Sequence, residues 1–351
     1  MRWTWEAGPN RQVSAMVPAA SAGSTIVVSL ISPGSRRSVA CLDAGSGRLL
    51  WERHGGEFAA YRDELAIVTE PGLQYVDARS GQSEWVAPLD AEWRNAWVGL
   101  HVSAVGVLLG KPGKLRLLAS KRGDTLWSYD EPLRQGEADA RVSVASLGRV
   151  ATLSYYRAGG RVVGVDLATG RKLWNYAADE DILVAPVSSD DRLIVRTPTR
   201  LAAVDTTTGK EAWGIGMSLP ATGGVAVAVD GRSVYSATGD RLARVDVGSG
   251  RLVSEEALPG PVNGVGTPVL ARVGQLLAVA CRQGQGQRSH VRIVLLDADS
   301  LRAVQPIAPF GDFQYATIVF CDDQIFMVSE QGVTALAAVA IHPHAVAQPD
   351  V

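Results

Sequence analysis

The sequence predicts an all-β fold, a closed ring of eight four-stranded blades, with seven blades as the alternative count. Three observations predict it. A unit of Asp, Gly and Trp recurs at fixed spacing, as in CLDAGSGRLLW, VDARSGQSEW, VDLATGRKLW and VDTTTGKEAW. The units follow one another about every forty residues, the length of one propeller blade. The chain between them reads as short strands separated by turn residues, without the periodicity of amphipathic helices.

Each part of the unit has a physical role in a β-hairpin. The strict copies are Asp43-Gly47-Trp51, Asp77-Gly81-Trp85, Asp166-Gly170-Trp174 and Asp205-Gly209-Trp213. A strand such as RSVACL or RVVGV precedes the Asp, and a second such as RLLWERH follows the Gly. The Asp carboxylate is placed to accept backbone N–H groups at the turn entry. The Gly supplies the positive φ that re-enters the next strand. The Trp presents a large flat ring suited to packing between neighbouring sheets. Two further strands precede each hairpin, such as FAAYRDE with LAIVTEP, and ILVAPVSSDD with RLIVRTP.

Three copies are degraded. Ala119-Gly123-Trp127 lacks the acid, Asp246-Gly250-Ser254 lacks the tryptophan, and Asp297-Leu301-Gln305 keeps only the acid. The eighth blade is expected to be composite. RWTWEAG near the start resembles a tryptophan strand with no hairpin before it, and QIFMVSEQGVTALAAVAI near the end resembles middle strands with no tryptophan strand after them. Residues 2–7 are therefore expected to pair with a blade formed by about 314–341, with Trp3 or Trp5 in the tryptophan place. This makes 1–341 one domain and 342–351 a tail.

Composition excludes several function classes. Of 351 residues, 46% are hydrophobic and 20% charged, and the formal net charge is −2. A chain without basic excess lacks the electrostatics that phosphate binding needs, so nucleic acid is not expected as a partner. No apolar run approaches the ~20 residues of a membrane span. No secretory signal or lipid-anchoring cysteine is visible at the start, which sets the expectation of a cytoplasmic protein. A monomer is expected. Cys41, Cys281 and Cys321 stand in apolar contexts and read as core residues.

The Asp-x-x-[Thr/Ser]-Gly-x-x-x-Trp pattern resembles the PQQ-like β-propeller repeat with its tryptophan-docking motif, over essentially the whole chain. That family includes quinoprotein dehydrogenases, an outer-membrane assembly lipoprotein and sensor domains of bacterial kinases. The quinoprotein branch implies PQQ held over the central channel, with Ca²⁺ bound by Glu, Asn and Asp, a tryptophan floor and often adjacent cysteines. No two cysteines here are adjacent, and neither Asn95 nor Asn175 stands in such a ligand motif. PQQ, calcium and other metals are therefore not expected.

No metalloprotease, nucleotide-binding or nucleophile-elbow motif is present. The HPH of His342 and His344 reads as part of a solvated tail. The informative positions are the links between blades. DAEWRNAW offers Trp93, Arg94 and Trp97; DEPLRQGEADAR offers Arg134 and Glu137; ADEDI offers Asp179, Glu180 and Asp181; APFGDFQY offers Phe310, Asp312, Phe313 and Tyr315. Aromatic rings beside charges are the chemistry of binding surfaces. The expected contact residues are Trp93, Arg94, Trp97, Arg134, Asp181, Phe310 and Phe313. CRQGQGQRSH, with Arg282 and Arg288, is a second candidate loop. In the competing reading the rings pack between blades and the charges are merely solvated.

The functional expectation is a non-catalytic scaffold that binds a protein partner or ligand through these rim loops. The alternative is a cofactor-independent enzyme or small-molecule binder in the channel, with Asp181, Arg94 and Asp312 in acid–base or orienting roles. A PQQ-dependent dehydrogenase is the weaker alternative.

Overall fold

The computed structural model describes residues 3–19, 25–34, 36–94, 98–189, 191–218, 224–262, 270–273, 275–283, 290–306, 316–321, 324–329 and 331–336. They form eight antiparallel four-stranded sheets, each following sequence order from inner to outer strand except the last. Blade 2 is representative. Its strands are Phe58–Tyr61, Glu64–Val68, Gly72–Asp77 and Ser83–Pro88. The two middle strands carry the buried residues, and the outer strand alternates exposed positions with the docked tryptophan. Because each sheet is buried on both faces by its neighbours, its middle strands are near-continuous apolar runs.

The expected closure is present. The N-terminal strand Trp3–Glu6 pairs with Gly332–Ala335, with Trp3 opposite Ala335 and Glu6 opposite Gly332. The order of this sheet joins the first strand of the chain to its last three. The ring thus has no seam with free backbone groups, which removes an aggregating edge.

The repeat unit performs the same construction in each strict hairpin. In the first, the Gly47 N–H donates to the Asp43 carbonyl at 2.8 Å, and the Asp43 carboxylate accepts from the Ser46 amide and hydroxyl. The Ser46 hydroxyl holds the Asp43 carboxyl below its ordinary value of 3.8. The acid is dispensable to the turn itself. In the copy at Ala119, the Gly123 N–H still reaches the Ala119 carbonyl at 2.9 Å.

The tryptophan reaches the turn of the following blade. Trp51, Trp85, Trp127, Trp174 and Trp213 donate their indole N–H to the carbonyls of Ala78, Ser120, Leu167, Thr206 and Val247, at 2.6–2.8 Å. Trp3 does the same to Ala44 at 3.0 Å, across the junction of the chain ends. Each ring lies on the repeat glycine of the blade it reaches. A methyl group on Gly209 would stand 2.6 Å from the Trp174 ring, and φ at Gly209 is +68°. That glycine is required twice, for its backbone and for its missing side chain.

The degraded copies fail together. Ser254 leaves blade 6 without a docking ring, and the blade 7 turn has Leu301 where the others have glycine. Leu301 takes the left-handed conformation (φ 58°) and is itself buried. The carbonyl of Ala298, which a tryptophan would have met, instead faces the buried Tyr235 hydroxyl of blade 6 at 3.2 Å. Gln305 stands at the tryptophan position of blade 7, opposite Leu295, and the next blade is the composite one, whose third and fourth strands come from opposite chain ends and so share no hairpin.

Three details differ from the expectation. The inner strand of blade 5 is only Val187–Ser189, because Pro186 before it has no N–H to donate. A one-turn helix, Ala91–Arg94, and a 3₁₀ turn, Glu137–Asp139, stand in the links flanking blade 3. Cys41 and Cys281 are buried free thiols as expected, and burial pushes both up to about 12.

Trp174→Ala is expected to lower stability by ~3–5 kcal/mol, the range for a large buried aromatic side chain. Urea unfolding would check it. Removing residues 1–7 is expected to lower the unfolding midpoint sharply, because it removes both the closing strand and the Trp3 dock. Melting like that of the full chain would refute the closing role.

A rim surface across blades 3 to 5

In each blade the strands alternate direction. The links between blades therefore emerge at the same end as the hairpins between second and third strands. At this rim the structure brings two of the marked links together. The residues 157–160 turn of blade 4 lies between them. Its Gly160 carbonyl accepts from the Ala178 N–H at 2.7 Å, and the Ile182 N–H reaches the Gly159 carbonyl at 3.0 Å. On the other side, Gly159 approaches the Glu137 and Ala140 side chains closely enough that a methyl group there would be in contact with both.

A buried ionic cluster fixes the first link, residues 131–140. Arg161, from the start of blade 4's third strand, is 3% exposed. Its guanidinium binds Glu131 at 2.6 Å and Glu137 through Nε at 2.8 Å, and also donates to the Pro132 carbonyl. Lys172 and the Tyr129 hydroxyl complete the surroundings of Glu131. Burial opposes ionisation of Glu131, but the Tyr129 hydroxyl and Lys172 hold it below its ordinary value. Arg161 also lies over the Tyr155 ring, whose hydroxyl accepts the Gly113 N–H. Sequence reasoning named Glu137 as a surface charge. It is instead 4% exposed and structural. The pairing was invisible because Glu131, Glu137 and Arg161 carry no fixed sequence spacing.

The cluster leaves Leu133 and Arg134 outside. Leu133 is 44% exposed, and Arg134 is exposed with its backbone N–H bound to the Glu137 carboxylate. In the second link, Glu180 is also committed to structure. It accepts from the Thr197 hydroxyl and from the Thr199 amide and hydroxyl, and the Thr197 hydroxyl chiefly holds its carboxyl low. Its neighbours Asp179 and Asp181 are exposed.

The other expected residues have different placements. Trp93 is 1% exposed and belongs to the core between blades 2 and 3, with Lys111 and Arg116 over its ring. Glu92, paired with Lys111 and Lys114, ties its short helix to blade 3. For this ring the packing reading holds, and it presents no surface to a partner. Arg94 ends the same helix, and its side chain is outside the described residues, as are Trp97, Phe310, Asp312, Phe313 and Tyr315. Arg288, His342 and His344 also lie outside them, and of Arg282 only the backbone is described. Among the described residues no three His, Cys, Asp or Glu side chains group as a metal site, and no helix is long and apolar enough to cross a membrane.

This ring of docked blades can be set beside known proteins. The family model described as outer membrane protein assembly factor BamB matches residues 3–142, 35–182 and 111–339. The chain belongs to the BamB family. Its fold is similar to that of BamB from Moraxella catarrhalis, with a TM-score of 0.63 at 18% identity, covering 93% of this chain and 98% of that one. It is similar also to the computationally designed Ika8 protein, with a TM-score of 0.70 at 14% identity, covering 94% and 97%. Dihydro-heme d1 dehydrogenase NirN, in complex with DHE, matches with a TM-score of 0.63 at 15% identity, covering 95% and 74%. No curated protein sequence matches the chain significantly. At these identities the structural likenesses show the fold alone.

Arg161→Met is expected to cost about 3–5 kcal/mol, because it leaves buried carboxylates without their partner. Lys114→Met, at the exposed pair with Glu92, is expected to leave the urea midpoint where it is, because solvent screens an exposed pair. Denaturant titrations of the two variants would compare them.

Proposed function

We propose that this protein is a non-catalytic scaffold that takes a protein partner on the rim of blades 3 to 5. The observation that carries the reading is the Arg161 cluster beneath Leu133 and Arg134. Burying three charged groups is a poor way to gain stability, since well-packed apolar residues do as well or better. What such a cluster supplies is a fixed position for the link above it. The result is a pre-ordered surface, and pre-ordering lowers the entropic cost of association. Leu133 provides an apolar anchor, Arg134 a cation, and Asp179 with Asp181 an acidic flank across the Gly160 turn.

The family description supports the same reading, because an assembly factor works by meeting other proteins. The fitting partner presents an apolar side chain between a basic and an acidic group.

The test is co-purification from the native host with Leu133→Asp combined with Arg134→Glu. Capture of the specific partner is expected to fall by about tenfold or more, the loss typical of a central anchor. The urea midpoint is expected to stay where it is, since both side chains are exposed. Undiminished capture would place the contact elsewhere on the ring.

A further inference from the structure

Among the described residues, seven repeat turns stand at the end of the blades that carries the tryptophan docks. In six of them the acid accepts from the hydroxyl residue three places on: Ser46, Ser80, Thr169, Thr208, Ser249 or Ser300. The blade 3 turn has lost both members of this pair. Ala119 stands in place of the acid and Arg122 in place of the hydroxyl residue. The turn still closes, with the Ala119 N–H on the Asp124 carbonyl at 2.9 Å, and it still receives Trp85 on the Ser120 carbonyl at 2.6 Å. The side chains of Lys121 and Arg122 add nothing to that construction. Both are exposed, and among the described residues no ion pair or hydrogen bond holds either one.

What the exchange alters is charge. From the repeat acid to the residue after the glycine, the turns of blades 1, 2, 4, 5 and 6 each carry one acidic and one basic residue, and blade 7 carries two acids and one base. Blade 3 alone has the opposite balance, with Lys121 and Arg122 against Asp124. Two more exposed cations adjoin it from blade 4. Arg171 follows Gly170, the glycine beneath the Trp127 ring of blade 3, and the Arg149 carbonyl accepts the Leu167 N–H of that same turn at 2.8 Å. Asp166, the acid of the blade 4 turn, is committed to the amide and hydroxyl of Thr169. Two aliphatic side chains accompany the cations. Val105, next to the Gly106 that pairs with Ala119, is 47% exposed, and Leu126, in the strand leaving the turn, is 53% exposed.

We infer that the dock end of blades 3 and 4 binds an acidic segment of a second protein, one that carries carboxylates and apolar side chains in a single run. Lys121, Arg122, Arg149 and Arg171 meet the carboxylates, and Val105 and Leu126 meet the apolar side chains. Complementary charge of this kind steers the encounter and rejects wrong partners. A segment fits better than a lipid surface. The basic excess spans two blades of eight, and a flat anionic bilayer that reached it would also press on the balanced and acidic turns of the others. The site lies at the opposite end of the blades from Leu133 and Arg134, and neither surface depends on the other. With both, one ring holds two proteins at its two ends.

The test uses a fluorescein-labelled peptide of four Glu-Glu-Leu repeats as the probe, with fluorescence anisotropy of its complex with the full chain as the readout. Saturable binding is expected at low salt, weakening steeply toward about 1 M salt, where charges are screened beyond ~3 Å. Lys121→Glu with Arg122→Glu is expected to weaken binding by about tenfold or more. Ala119→Asp with Arg122→Ser rebuilds the turn of the other blades; it is expected to weaken binding as well, and to unfold at equal or higher urea. Lys210→Glu with Arg251→Glu makes the same change in net charge at the turns of blades 5 and 6, and is expected to leave binding within about twofold. No saturable binding at low salt, or an equal loss in the blade 5 and 6 variant, would overturn the proposal. So would capture of phosphatidylglycerol vesicles without peptide binding, which would make this end a membrane face. Urea unfolding of each variant separates a folding defect from lost recognition.

Discussion

The ring depends on one contact: an indole laid on the glycine of the next blade, with its N–H on the adjacent carbonyl. It joins a sheet to its neighbour through a ring, a bare backbone and a hydrogen bond at once. Each part constrains the others. A side chain on the glycine would displace the indole, and an absent indole would leave a buried carbonyl unpaired. The two interfaces without the contact confirm its logic. At blade 7, Leu301 is buried in the core shared with blade 6, and the Tyr235 hydroxyl faces the carbonyl. At blade 8 no repeat hairpin exists to receive a ring, and blade 7 has Gln305 in the tryptophan place.

Because these docks hold the blades, the opposite rim is free to vary. Its links differ in length and chemistry, and among the described residues three are secured by different means. The Arg161 cluster orders one, Glu180 another, and the Glu92–Lys111–Lys114 group a third. Scaffold and surface are thus built from different residues at opposite ends of the same strands. This separation lets one propeller architecture carry unrelated functions.

The blade repeat was legible in the sequence because it is local: Asp, Gly and Trp lie within nine residues, and strand alternation shows over five or six. Even the closure could be read, since each chain end was visibly an incomplete unit. The site was legible only in part. Arg134 and Asp181 are both exposed, in the links on either side of the 157–160 turn. Trp93, whose sequence context looked the same, is enclosed between blades. Nothing within DAEWRNAW distinguishes an exposed ring from a buried one, because the enclosing residues belong to other strands. The pairing of Arg161 with Glu131 and Glu137 was illegible for the same reason.

By itself, the sequence determined the all-β class, the blade count near eight, the turn chemistry of each hairpin and the partner strand of Trp3–Glu6. Only the tertiary structure decided which blade each tryptophan serves, which charges are buried and which remain on the rim. The physical reason is range. Turns and alternation arise from contacts between near neighbours in the chain. Burial, charge pairing and the space between sheets arise where blades meet, between residues tens of positions apart.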